Sequence, residues 1–259
     1  MSDDLLLIHH DGAITTLTLN APTTINALSS AMLTRLGQAL AEISARPDTR
    51  VVILKGAGKN FCAGHDLREI QGLRAAPDMG RAGITALFTL CARVMQQIAT
   101  LPQPVIAQVQ GVATAAGCQL AASCDMVVAA ETARFGVNGV NIGLFCHTPL
   151  VALSRKVPPA QAFEMAATGE FIPAARAHAL GLVTRIAPPE ALDDAALALA
   201  QTLAGKLPLA LALGKRGAAR PLAEAYQAAT AIMIDNLMAP ETAEGIQAFL
   251  EKRAPTWAQ

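Results

Sequence analysis

The chain has 259 residues, 53% of them hydrophobic and 15% charged, which fits one large folded domain, or a core with an appendage, and excludes a disordered chain. Lysine plus arginine equals aspartate plus glutamate at 20 each, so no global charge draws the molecule to nucleic acid. Five cysteines (Cys62, Cys91, Cys118, Cys124, Cys146) include no CxxC pair, and the odd count argues against a secreted disulfide framework. Reduced thiols and a cytoplasmic location are expected. The acidic stretch Met1-Ser-Asp-Asp4 lacks the basic region of a signal peptide. No apolar run reaches membrane-spanning length, so no membrane span is expected.

Taken in chain order, Leu5 to Asn20 alternates weakly and predicts a hairpin turning at Asp11-Gly12. Ser29 to Ala45 has a helical period, with Ser29 or Ser30 as N-cap. Val51 to Gly56 reads as a buried strand. A helix starts near Asp66, where Asp66 and Glu69 have capping-box spacing. Thr85 to Ala99 is the next helix, Val105 to Val109 a strand, Ala116 to Ser123 a helix, and Met126 to Ala130 a short strand. This alternation argues for an α/β core with mainly parallel crossovers. From about Ala160 the pattern turns helical: Ala160 to Ala167, Ala174 to Leu180, Leu192 to Ala204, Leu209 to Ala219 and Ala223 to Met238. Pro188-Pro189 and Pro208 act as stops. The expected division is a core over 1–195 and a C-terminal helical region over 196–259.

Two segments carry the chemistry: Phe61-Cys-Ala-Gly-His-Asp-Leu67 and Gly111-Val-Ala-Thr-Ala-Ala-Gly-Cys-Gln-Leu120. Each is a small-residue turn that follows an apolar strand and enters a helix. Such turns leave backbone N–H groups free at the helix start. Two of them aimed at one point would bind the oxygen of a thioester as it becomes an enolate or tetrahedral anion.

With these, further markers follow in order: Asn26-Ala-Leu-Ser29, Pro104-Val-Ile-Ala107, Cys124-Asp125, Phe135-Gly136, Glu164-Met165, Thr168-Gly-Glu170, Gly181-Leu-Val183 and Phe249-Leu-Glu-Lys252. Together they resemble the crotonase (enoyl-CoA hydratase/isomerase) superfamily over nearly the whole chain. The stretch 139–146, Gly-Val-Asn-Ile-Gly-Leu-Phe-Cys, looks most like the enoyl-CoA-hydratase-domain-containing branch. The resemblance implies an α/β, ClpP-like spiral of ββα units with a C-terminal helical trimerisation region, and a homotrimer or dimer of trimers. It implies a coenzyme A thioester as substrate and no separate cofactor or metal. By motif position the oxyanion donors are the N–H groups of Ala63 and Ala116. Ala27, Ala63, Gly64, His65, Asp66, Leu67 and Arg68 are expected to bind coenzyme A, with Lys252 or Arg253 from the tail on its phosphates.

In the family's hydratases two glutamates divide general acid and base work. At the matching positions this chain has Gln119, which cannot carry the proton, and Gly139, which has no functional group. The resemblance therefore implies acyl-CoA binding and oxyanion stabilisation, with hydration weak or altered. His147 is the candidate replacement proton carrier; its alternative is a histidine held by a backbone carbonyl. Cys118, Asn138, Gly139, Asn141 and Phe145 complete the expected pocket, with Cys118 and Cys146 read as buried thiols filling space. The missing side chain at Gly139 predicts a widened acyl pocket. Two functions follow: an acyl-CoA enzyme of the hydratase/isomerase class, a thioesterase or decarboxylase included, or a non-catalytic acyl-CoA-binding or regulatory protein.

Overall fold

Leu6–Asp11 (β1) pairs antiparallel with Ile14–Leu19 (β2) through the expected turn, where Gly12 takes φ 54°. The computed structural model describes residues 5–217 and, beyond them, Glu244, Glu251, Arg253 and Thr256. After β2 the chain forms Ser30–Ser44 (α1), whose N-cap Ser29 accepts a hydrogen bond from the Met32 N–H. Met32, Leu36, Ala39, Leu40 and Ile43 recur on one side of α1 and are buried. Val51–Gly56 (β3) follows, parallel to β2 and buried at Val51 to Leu54, as a strand covered on both faces must be. Leu67–Leu73 (α2) and Arg81–Thr100 (α3) lead to Val105–Val109 (β4), parallel to β3.

From β4 onward the chain distributes its strands between two sheets. Val112–Thr114 (β5) opens a second sheet, and Ala116–Ser123 (α4) returns. Met126–Ala130 (β6) joins β4 in the first sheet, and Arg134–Gly136 (β7) lies parallel to β5 in the second. His147–Leu153 (α5) and Pro159–Thr168 (α6) come next, then Ile172–Pro173 (β8), antiparallel to β7. Ala174–Ala179 (α7) precedes Arg185–Ala187 (β9), which ends the first sheet against β6. The first sheet has the order β1-β2-β3-β4-β6-β9 and the second β5-β7-β8. The steps β4-β5-α4 and β6-β7-α5 thus each contribute one strand to each sheet, as in the expected spiral, while β1, β2 and β3 all lie in the first sheet.

Four short strands, β5, β7, β8 and β9, are not legible as elements, because two or three residues carry no readable period, and the helix α5 is too short at 7 residues to repeat its apolar spacing. Residue 195, the expected end of the core, falls inside Leu192–Ala204 (α8), and this helix lies on the first sheet: Asp193 pairs with Lys55 of β3 at 3.0 Å and accepts from Gln108 of β4. Pro208 begins Pro208–Gly217 (α9) instead of stopping a helix, since its missing N–H costs nothing in a first turn. α3 is long and apolar enough by length and composition to cross a membrane, contrary to expectation, but Leu87, Cys91, Val94, Met95 and Ile98 lie in the core. The expected helix Ala223 to Met238 lies outside the described residues.

Candidate functional site

The loop 61–66 is held by one buried side chain. Asn26 sits at φ 53°, accepts from the Ala21 N–H at 2.9 Å, and donates to the carbonyls of Ala57 (2.9 Å), Asn60 (3.0 Å) and Phe61 (3.0 Å). An asparagine tolerates this left-handed backbone and offers both polarities, so it can hold two turns together. Cys62 adds a contact from its thiol to the Asn26 carbonyl at 3.1 Å.

This loop rests on the start of α4. A Cβ at Gly64 (φ 95°) would lie 3.0 Å from the Ala115 Cβ and 3.1 Å from the Ala116 nitrogen. Only glycine permits that approach. Ala115 is itself at φ 49° and ψ −121°, a strained conformation for alanine, and its N–H donates to the Gly136 carbonyl at 2.9 Å. The Ala116 N–H, at the first position of α4, has no hydrogen-bond partner among the described residues.

The first expected oxyanion donor is displaced. The Ala63 N–H donates to the Ile25 carbonyl at 2.9 Å and is not available. Leu28 donates to the Gly64 carbonyl at 2.8 Å, and the turn at Gly64 leaves the next N–H, that of His65, without a partner among the described residues. The pair of free donors is therefore His65 and Ala116. Motif reading placed the first donor two residues early because the sign of φ at Gly64, which turns the following peptide, is not written in residue type.

These groups border a cleft of about 660 Å³. Of the expected residues, Ala27, Ala63, His65, Asp66, Leu67, Arg68, Ala116, Asn138, Gly139, Asn141, Phe145 and His147 line it. Cys118 and Gln119 do not: both are buried in the first turn of α4, and the Gln119 Oε1 has no partner among the described residues. Lys252 lies outside the described residues. Arg253 is engaged by carboxylates, Glu244 at 2.6 and 3.0 Å and Glu251 at 2.6 Å. Asp66 caps α2, accepting from Arg68 N (2.9 Å) and Glu69 N (3.3 Å). Glu69 does not close the box; its Oε2 accepts from Ser30 N at 2.9 Å and joins α2 to the start of α1.

The expected gap beside Gly139 is closed. A Cβ there would collide with the Leu144 carbonyl oxygen and lie 2.8 Å from the Cys146 Sγ. His147 is exposed, and its Nδ1 bonds the Phe145 carbonyl at 3.0 Å. A carbonyl only accepts, so Nδ1 carries the hydrogen and Nε2 is left without a partner among the described residues. His65 is assigned the same tautomer by its Nδ1 contact to the Leu28 carbonyl (3.2 Å), and its ring lies 4.6 Å from that of Phe88. Burial lowers the His65 pKa, against the smaller upward pull of the Leu28 bond. Burial pushes the thiols of Cys62 and Cys118 up to about 12 and raises that of Cys146, which disfavours the thiolate form at all three.

Thr114 donates its hydroxyl to the Asn138 Oδ1 at 2.7 Å, across the ends of β5 and β7. Sequence reading singled out Asn138 but not Thr114, because their meeting depends on the pairing of two three-residue strands.

Residues 9–259 match the family model described as enoyl-CoA hydratase/isomerase. A Rattus norvegicus protein named "Enoyl-CoA hydratase domain-containing protein 3, mitochondrial" is 41% identical over 95% of this chain and 81% of its own length. An enoyl-CoA hydratase structure from Mycobacterium smegmatis superposes with TM-score 0.92 at 49% identity, covering 98% of each chain. The human enoyl Coenzyme A hydratase domain-containing protein 3 superposes with TM-score 0.90 at 38% identity, covering 98% of this chain and 100% of that one. The word "mitochondrial" in the names of the rat relative and its Danio rerio and Homo sapiens counterparts overturns the expected cytoplasmic location. Unpaired cysteines mark a reducing compartment without saying which one. With the two-sheet spiral and this full-length similarity together, the chain belongs to the enoyl-CoA hydratase/isomerase family and has the crotonase fold.

Proposed function

We propose that the cleft binds an acyl-coenzyme A thioester with its carbonyl oxygen between the N–H groups of His65 and Ala116, and that the protein acts by stabilising the enolate or oxyanion formed there. The observation that carries this reading is the pair of uncommitted backbone donors on two turns packed within van der Waals contact. The α4 dipole adds to the Ala116 donor. One such donor lowers a barrier by about 3 kcal/mol. Ala27, Leu67 and Arg68 are assigned to the coenzyme A end of the cleft, where Arg68 supplies a cation, while Gly64 shapes the loop behind it.

Hydration is weak or altered under this reading. The cleft's one carboxylate among the described residues, Asp66, is occupied as a helix cap. Gln119 is buried off the cleft wall, and no side chain fits at Gly139. His147, with Nδ1 anchored and Nε2 open, is the group proposed to move a proton. The blocked Gly139 position also favours a second reading, a non-catalytic acyl-CoA binder. Assembly as a homotrimer or dimer of trimers is part of the family reading, and the exposed Val151 and Phe163 on α5 and α6 are consistent with it.

A mass-spectrometric screen of purified protein against enoyl-, 3-hydroxyacyl-, malonyl-type and saturated acyl-CoA esters tests this. Loss of carbon dioxide, release of free coenzyme A, or gain of water names the reaction. Turnover that survives in His147→Gln within tenfold would remove His147 from the chemistry. Retention of an unchanged ester across the panel selects the binding protein, and no retention at all defeats both readings.

A further inference from the structure

Asn138 has an unused function in the cleft. β5 and β7 run parallel, with Thr114 opposite Gly136 as their last register pair. Two residues beyond that pair, Ala116 and Asn138 leave the strands on the same end of the second sheet, and the bond from Ala115 N to Gly136 O holds those ends together. The Thr114 hydroxyl occupies the carbonyl end of the Asn138 side chain. The amide N–H2 end then faces no protein acceptor among the described residues, although Asn138 is half-buried and lines the cleft. A donor held in this way is satisfied only by an acceptor brought in from outside.

The surroundings restrict that acceptor. Asp66, the one carboxylate of the cleft lining among the described residues, is bound to the start of α2 through the Arg68 and Glu69 N–H groups and makes no hydrogen bond to Asn138. Gly139, the neighbour of Asn138, is roofed by the Leu144 carbonyl and the Cys146 sulfur, so position 139 itself has no room for a side chain that would pair with the amide. The Ala116 N–H and the Asn138 amide sit on adjoining strand ends and offer two donors to one ligand. An acyl thioester with a second oxygen on its β-carbon has two acceptors in a 1,3 relation and meets both. A saturated or simple enoyl chain leaves the Asn138 amide desolvated and unpaired.

We propose that Asn138, held by Thr114, makes this cleft select thioesters whose acyl group bears a second acceptor oxygen at the β-carbon, as in 3-oxoacyl or malonyl-type esters. This rests on the acyl-CoA reading above and narrows its substrate class. Ketone and carboxylate share the chemistry of the acceptor, and the arms of the test separate them.

The test is calorimetric titration of the full chain with acetoacetyl-CoA, malonyl-CoA and butyryl-CoA, with the recovered ester weighed after each run. The expected preference over butyryl-CoA is about tenfold for a ketone and about a hundredfold for a carboxylate. In Asn138→Ala the ratio to butyryl-CoA collapses toward one. In Asn138→Asp it inverts, most strongly for malonyl-CoA, because a carboxylate then faces a carboxylate. Thr114→Val frees the amide to rotate and reduces the ratio without removing the group, which keeps the proposal testable if an Asn138 variant fails to fold. Preference for malonyl-CoA alone or acetoacetyl-CoA alone names the acceptor and supports the proposal. Equal affinity for butyryl-CoA, or an unchanged ratio in Asn138→Ala, overturns it while leaving acyl-CoA binding intact. Failure of all three esters to bind overturns the acyl-CoA reading itself.

Discussion

His65 illustrates how much one residue can carry in this cleft. Its backbone supplies a free donor, its Nδ1 ties the loop to Leu28, and its ring packs on Phe88. Burial holds its pKa below the ordinary histidine value, so at intermediate pH the unfolded chain binds a proton that the folded protein does not. Stability from this group is fully present above about pH 6.5 and is lost as pH falls through that value toward the lower folded pKa. Urea midpoints measured from pH 8 to pH 5 should therefore drop on the acid side, and the drop should be smaller in His65→Gln. An identical slope in the variant would show that other groups account for it. The motif around His65 was legible from its residues, but which N–H stays free was not. That depended on Ile25 placing its carbonyl against Ala63, a contact between turns far apart in sequence.

Among the elements, α9 is attached to the core by a polar pin at Lys215. Lys215 donates to the Ile98 carbonyl (2.8 Å), the Gln103 carbonyl (3.2 Å) and Asp125 Oδ2 (2.7 Å), and its side chain is 9% exposed. The same Asp125 oxygen accepts from the Val105 N–H at 2.7 Å, so the pin joins α9, the end of α3 and the entry to β4. Lys215→Ala leaves the Asp125 carboxylate with the Val105 N–H but no counter-charge, takes the Lys215 donor from two carbonyls, and should cost about 3 kcal/mol. Chemical denaturation measures this, and a loss under 1 kcal/mol would show that water replaces the ammonium. The Cys124-Asp125 step was read as a family marker, yet no periodicity connects it to a lysine 90 positions on. α1, α3, α8 and β3 were predictable because each is long enough for its apolar spacing to repeat, whereas the three-residue strands that build the second sheet exist only through their partners.

The whole molecule balances its charges and buries a core that runs from β1 to α8. Because the cleft is formed by the packing of segments 23–27, 63–70, 114–116 and 138–149 in the folded state, a ligand there should stabilise the fold. At a hundredfold excess over Kd the gain is about 2.7 kcal/mol, which corresponds to roughly 5–10 °C in Tm. Thermal melting with an acyl-CoA ester against free adenosine phosphate reads this directly, and equal shifts would place the binding energy outside the acyl part of the cleft. The sequence by itself determined the α/β class, the order of the long elements, the family and the two turns that meet at the cleft, because these rest on local patterning and on motifs in fixed order. Tertiary structure alone decided that His65 and not Ala63 keeps a free donor, that Gln119 is off the wall, that Gly139 has no room beside it, and that Thr114 orients Asn138. Each of these depends on which polar group another segment has already satisfied, and that is settled only when the segments pack.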